Sequence, residues 1–141
     1  MLRLSLIVAT YNRSVSLIRA LESVAEQNAP LSEWECIVVN NNSTDDTRER
    51  FEEFAAAHPD HNFRMVTEMR QGLSYARNRG IRESSGEYIA IIDDDERIAP
   101  DFIKAYIELF DSTPDAMAAG GPIIAEYQGK RPRWMSRFTE R

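Results

Sequence analysis

Along the chain, short apolar runs alternate with longer stretches in which apolar residues recur every three or four positions. Leu4 to Ala9 is an apolar run closed by Thr10-Tyr11-Asn12, the pattern of a buried strand. After Ser14, a residue suited to capping, Val15, Leu17, Ile18, Leu21, Val24 and Ala25 recur at helical spacing until Asn28-Ala29-Pro30 ends the pattern. Glu35 to Val39 predicts a second strand. The polar turn Asn40-Asn41-Asn42-Ser43 then leads into a helix from about Asp45 to Ala57, capped by Ser43 or Thr44 and acidic in its first turn. Phe63 to Thr67 predicts a third, weaker strand, and a loop through Arg70-Gln71-Gly72 opens a helix from about Ser74 to Ser84. Gly86 closes the connection to Tyr88–Ile92, the strongest strand pattern in the chain. Pro100 begins a helix bearing Phe102, Ile103, Tyr106, Ile107 and Phe110. Ala116 to Ile124, bent at Gly120-Gly121-Pro122, predicts a fifth strand.

The resulting β-α-β-α-β-α-β-α-β order has strands that are short apolar runs rather than half-buried alternations. It predicts an α/β fold: a Rossmann-like open, mainly parallel sheet with helices on both faces and right-handed crossovers. With 141 residues the chain is long enough for one hydrophobic core. Residues 1–126 form that unit. From 127 to 141 the character changes: five Lys/Arg residues, Gly129 and Pro132 surround Trp134, Met135 and Phe138, which predicts the start of a further region in a truncated chain.

Composition narrows the function classes. Apolar residues at 43% and charged residues at 28% argue against global disorder. A net charge of −6 gives no electrostatic reason to expect nucleic acid, and an anionic diphosphate would need a bridging cation or backbone N–H donors. The single cysteine, Cys36, can form neither an internal disulfide nor a thiolate cage; it reads as a small buried hydrophobe in a reducing compartment, with a catalytic thiol the remote alternative. His58 and His61 flank Pro59-Asp60 in a polar stretch and suit a loop better than a metal site. Met1 to Ala9 is too short to span a membrane and no cleavage-site pattern follows, so a cytoplasmic chain without a transmembrane segment is expected.

In open α/β sheets, ligands bind outside the carboxyl ends of the strands. Three polar clusters fall at such ends: Thr10 to Arg13, Asn40 to Thr44, and Asp93 to Glu96. The last is the most informative. In an extended chain Asp93 and Asp95 share one side and Asp94 faces the other. Carboxylates gathered there repel one another, and a hard divalent cation such as Mg²⁺ or Mn²⁺ relieves that repulsion. A solvated acidic turn accounts for the same charges, but placement directly after Tyr88–Ile92 favours a site. A phosphoacceptor aspartate wants a further acidic pair after the first strand, where Thr10-Tyr11-Asn12 stands. A dinucleotide fold wants G-x-G-x-x-G there, and a P-loop pattern is absent too.

Four blocks together resemble family 2 glycosyltransferases: Val8-Ala9-Thr10-Tyr11-Asn12-Arg13, Val38 to Thr47, Gly72 to Ile81, and Gly86 to Asp95. They occur in that family's order and approximate spacing. The resemblance implies a GT-A fold and metal-dependent transfer of a sugar from a nucleoside-diphosphate-sugar donor to an acceptor hydroxyl, with inversion. It makes Thr10, Tyr11, Arg13, Asn41, Arg77 and Asp94 the donor-binding residues, and Asp93 and Asp95 the D-x-D metal ligands. Thr10 and Tyr11 would lie beside the nucleoside, although Tyr11 also suits a packed aromatic. Asn41 stands where many relatives have a base-binding aspartate, and Asn40 and Asn41 depart from the acidic pair often found there. Ser43 and Asp45 better suit capping the next helix. Arg77 could meet phosphate or form a surface ion pair, and Asp94 is the candidate for the ribose hydroxyls.

The same resemblance places a general base well downstream of the D-x-D segment. Asp111, Asp115 and Glu126 do not match it, so the base is expected beyond Arg141. The chain therefore reads as a donor-binding part lacking the base, with residues 127–141 opening the acceptor side. A glycan or lipid-linked acceptor and work near the inner membrane face are implied by resemblance alone. The alternative is a nucleotide- or nucleotide-sugar-binding module without transfer chemistry.

Overall fold

The structure is a computed structural model that describes residues 1–127 and 129–134. Strands and helices alternate: β1 (Leu4–Thr10), α1 (Ser14–Ala25), β2 (Trp34–Asn40), α2 (Thr47–Ala57), β3 (Phe63–Thr67), α3 (Leu73–Glu83), β4 (Tyr88–Asp93) and α4 (Phe102–Ser112). The sheet order is β3-β2-β1-β4 and every pairing is parallel. The chain thus steps outward from β1 to β3 and then returns past β2 and β1 to β4. Right-handed crossovers in opposite directions put their helices on opposite faces. Accordingly α1 and α2 share one face with α4, and α3 lies on the other.

Alternation along the buried strands supplies both faces. Leu4, Leu6 and Val8 of β1 and Trp34, Cys36 and Val38 of β2 pack against Leu17, Leu21 and Val24 of α1, Phe51 and Phe54 of α2, and Ile103 and Ile107 of α4. Ile7, Ala9, Ile37 and Val39 point the other way, toward Ala76 of α3. That helix lies close because its buried residues are small, Ala76 and Gly80. A Cβ at Gly80 would stand 2.4 Å from Ile7 Cγ2. The α3–β4 connection crosses β1 just as tightly: a Cβ at Gly86 would stand 2.5 Å from the Ser5 backbone nitrogen.

The expected fifth strand is not formed. Residues 116–124 contain neither helix nor strand, and Met117, Ile123 and Ile124 are exposed. Gly120-Gly121-Pro122 weakens extended pairing, and proline cannot donate to a ladder. Ser14 is the first residue of α1 and makes no side-chain cap; Arg13 occupies the N-cap. Likewise α2 begins after Asp46 rather than at Ser43 or Thr44, and Asp45 Oδ1 accepts from the Thr47 N–H at 3.1 Å. Of the expected further region at 127–141, Gln128 and residues 135–141 lie outside the described residues, Met135, Phe138 and Arg141 among them, and 129–134 form no helix or strand. Among the described residues, no helix is long and apolar enough to cross a membrane.

Candidate active site

Two loops at the carboxyl edge of the sheet are joined by side-chain bonds centred on Asn12. Asn12, directly after β1, adopts a left-handed conformation (φ 50°), which asparagine tolerates better than most residues. Its Oδ1 accepts from the backbone N–H of Thr44 at 2.7 Å and of Asp45 at 3.3 Å, and its own N–H donates to Ser43 Oγ at 3.0 Å. In the second loop Asn42 is also left-handed (φ 64°), and the Ser43 N–H donates to Asn40 Oδ1 at 2.9 Å. These bonds fix Tyr11 and Arg13 beside the end of β1. Tyr11 is 47% exposed, so it is not a packed core aromatic.

The acidic segment folds as the two-residue period of a strand end requires. Asp93 closes β4, and the turn after it is held by the Glu96 N–H donating to Asp93 O (3.1 Å) and the Asp93 N–H donating to Glu96 Oε2 (2.9 Å). Asp94 points inward, only 5% exposed. It accepts from Thr10 Oγ1 at 2.8 Å and from Arg13 Nη1 at 3.1 Å. The same Nη1 reaches Asp95 Oδ2 at 2.9 Å, and Arg77 Nη2 reaches Asp93 Oδ1 at 2.7 Å. Bonds from the Arg13 guanidinium to Asp94 first, then Asp95, hold its pKa above the ordinary arginine value. Arg77 therefore forms an ion pair at the rim, while its buried Nε has no partner among the described residues.

Asn41 Nδ2 donates to the carbonyls of Glu68 (2.9 Å) and Arg70 (2.7 Å), and its Oδ1 accepts from the Gly72 N–H (2.9 Å). Thr10, Tyr11 and Arg13 from the first loop, Asn41 from the second, Gln71 to Leu73 before and in α3, and all three aspartates line a single cleft of about 380 Å³. Of the residues expected to bind donor or metal, only Arg77 is not on its wall. Cys36 lies fully buried in the core, where desolvation pushes its thiol pKa up, the wrong direction for a nucleophile. His58 and His61 pack on Phe54 and Phe63 rather than on the cleft.

Among the described residues, no three His, Cys, Asp or Glu side chains converge into a metal cage. Asp93 and Asp95 are nevertheless half-exposed, and each bonds an arginine through one carboxylate oxygen, leaving the other without a partner among the described residues. Such a donor set fits a hard cation that completes its shell with water and phosphate oxygens.

Residues Asn12, Gln71 and Glu68 were not evident as site residues from sequence. Asn12 gave one local signal, an asparagine directly after a strand, but its partners lie more than 30 positions away.

The glycosyl transferase family 2 model matches residues 5–141, and the chain belongs to that family. It is 33% identical over 126 residues to the putative glycosyltransferase EpsH of Bacillus subtilis, covering 89% of this chain and 36% of that protein. It is 33% identical over 96 residues to the GalNAc(5)-diNAcBac-PP-undecaprenol beta-1,3-glucosyltransferase of Campylobacter jejuni, covering 68% of this chain and 30% of the relative. Among solved structures it is similar to the mannosyltransferase PcManGT of Pyrobaculum calidifontis, in complex with GDP-Man and Mn²⁺, with a TM-score of 0.73 and 32% identity over 77% of this chain and 32% of that one. The fold also matches S. aureus TarS 1-349 in complex with UDP, with a TM-score of 0.73 and 23% identity over 89% of this chain and 40% of that one. The chain spans about a third of the length of the two curated relatives named.

Proposed function

We propose that this chain is the donor-binding part of an inverting, metal-dependent glycosyltransferase that moves a hexosyl group from a nucleoside diphosphate sugar to an acceptor hydroxyl. One observation supports this most directly. In a family 2 chain, polar residues from the ends of β1, β2 and β4 meet in one cleft with three adjacent aspartates on its wall. Thr10 and Arg13 hold Asp94 in place, where its remaining lone pairs suit ribose hydroxyls. Tyr11 offers an exposed ring to the base, and Arg77 lies close enough to Asp93 to meet phosphate at the rim.

Asp93 and Asp95 are the residues to hold Mg²⁺ or Mn²⁺, and the bound ion would offset charge building on the departing diphosphate. The mannosyltransferase at 32% identity binds GDP-Man with Mn²⁺, which favours this reading. We assign the general base to none of the described residues: Asp111, Asp115 and Glu126 are not on the cleft wall. A glycan or lipid-linked acceptor, met near the cytoplasmic face of a membrane, is in keeping with the PP-undecaprenol in the name of one relative.

Calorimetric titration of UDP-, GDP- and dTDP-sugars, with and without Mn²⁺, tests the reading. One donor should bind at least about tenfold more tightly with Mn²⁺, a gain of roughly 1.4 kcal/mol. The gain should vanish in Asp95→Ala. Binding that ignores metal and survives Asp95→Ala unchanged removes the metal role. Donor binding by the whole protein without turnover on any acceptor would point instead to a binding module.

A further inference from the structure

We propose that Asn41 governs base selectivity as a positioning residue, by locking the 68–72 loop rather than by touching the base; the proposal rests on the donor-binding reading above. Asn41 is 4% exposed at the end of β2. A carboxamide has two donor hydrogens and one acceptor oxygen. Here both hydrogens are committed to the carbonyls of Glu68 and Arg70, and the oxygen already accepts from the Gly72 N–H. No donor is left for a ligand.

Those three bonds reach the start, middle and end of a five-residue loop. Glu68 ties it further: its N–H donates to Asn40 O at 3.0 Å and its Oε1 accepts from the Arg70 N–H at 2.8 Å. Gly72 ends the loop at φ 143°, a region that side-chain-bearing residues avoid. Held this way, Gln71 lies on the cleft wall, and its side chain makes no hydrogen bond to any described residue. Tyr11 lines the same cleft. A flat base suits the space beside an exposed aromatic ring. Gln71 then supplies the one uncommitted side-chain amide, among the described cleft residues, that can read its edge.

An aspartate at position 41 is nearly isosteric and keeps the acceptor for Gly72. It replaces both donated bonds with a single carboxylate oxygen facing two carbonyl oxygens, so the loop must shift. The test compares wild type, Asn41→Asp and Gln71→Ala with Mn²⁺ present, measuring Kd for UDP, GDP, CDP and ADP and amide exchange across 68–72. Wild type should prefer one base by at least about tenfold. Asn41→Asp should reduce that preference to within about threefold and speed exchange of the Arg70 and Gly72 amides at least about tenfold, while core strand amides stay protected. Gln71→Ala should lose the preference with loop exchange unchanged.

A preference retained in Asn41→Asp, or lost there with the loop still protected, overturns the positioning role. So does a preference retained in Gln71→Ala, which removes the loop as reader. A wild type that binds no nucleoside diphosphate sinks the donor reading and base selectivity with it. The exchange readout then still tells whether Asn41 holds the loop.

Discussion

Both ends of the sheet gather acids and arginines, yet the two clusters are built on different terms. At the amino edge, Glu35 lies within β2, 2% exposed. Its Oε1 accepts from Ser5 Oγ at 2.6 Å and from the Ser85 N–H at 2.9 Å, and its Oε2 meets Arg64 Nε at 3.1 Å. Arg64 also bonds the backbone carbonyl and the carboxylate of Glu83, and Ser5 Oγ further accepts from the Gly86 N–H at 2.8 Å. At the carboxyl edge, three aspartates share two arginines and open onto a cleft. The first cluster uses its bonding capacity internally and fastens α3 and β4 to the sheet. The second keeps carboxylate oxygens without partners among the described residues. Charge alone does not mark a site; unspent coordination in an accessible place does.

The largest effect should come from Arg64→Ala, which leaves a buried carboxylate without its cation. Removing one partner of a buried pair typically costs about 3–5 kcal/mol, and the one-third exposure of Arg64 puts the expected loss at about 3 kcal/mol. Urea unfolding measures it, and nucleotide affinity of the folded protein should not change. A loss below about 1 kcal/mol would make the two ends equivalent and break the comparison.

The cleft arginine should behave in the opposite sense. Arg13 Nη1 bonds Asp94 and Asp95 together, so it occupies charge that a metal would otherwise neutralise. In Arg13→Ala, Mn²⁺ without nucleotide should bind about tenfold more tightly, because a competing cation has gone. Weaker Mn²⁺ binding in that variant would mean that the guanidinium organises the carboxylates rather than competing for them.

Acid sharpens the same contrast more gently. Burial pushes the Glu35 carboxyl up, but hydrogen bonds from Ser5, Ser85 and Arg64, with the Arg64 charge, outweigh it and hold the pKa below the ordinary 4.5. A carboxyl depressed on folding contributes stability that is fully present above its unfolded pKa and lost as pH falls through the folded one. Arg64→Ala removes part of that depression, so the stability gap between wild type and variant should narrow as pH drops below about 4.5. Paired urea series at pH 7 and below pH 4 check the direction, and a gap that widens in acid contradicts it.

Much of this architecture was legible in the pattern of the chain. Short runs of five or six largely apolar residues located all four strands, each end lying within a residue of the observed one. The two-residue period at Asp93, Asp94 and Asp95 set the middle carboxylate apart from its neighbours, and the structure adds that the middle one is the buried one. The failure at Ala116–Ile124 has a local cause, since Gly120-Gly121-Pro122 interrupts a run whose composition otherwise suits a strand. Other features depend on distant partners. Asn12 meets Thr44 across 32 positions, and Asn41 meets Arg70 across 29. Neither separation leaves a periodic trace. Glu35 and Arg64 did leave one, as charges within the apolar patterns of two short strands, and a buried acid needs a partner of opposite charge.

The smallest effect belongs to an exposed arginine pair at the start of α2. Arg50 Nε lies 2.6 Å from Asp46 Oδ2, one helical turn away, closer than Arg64 lies to Glu35. If distance ranked ion pairs, Arg50→Ala would be the more damaging change. Both of its partners are about half-exposed, however, so water solvates them in either state and the pair must also restrain two mobile side chains. Arg50→Ala should leave the urea midpoint unchanged within error, because solvent takes over what the partner supplied. A shift approaching that of Arg64→Ala would show that burial does not separate the two classes, and the contrast between the ends of the sheet would then need another cause.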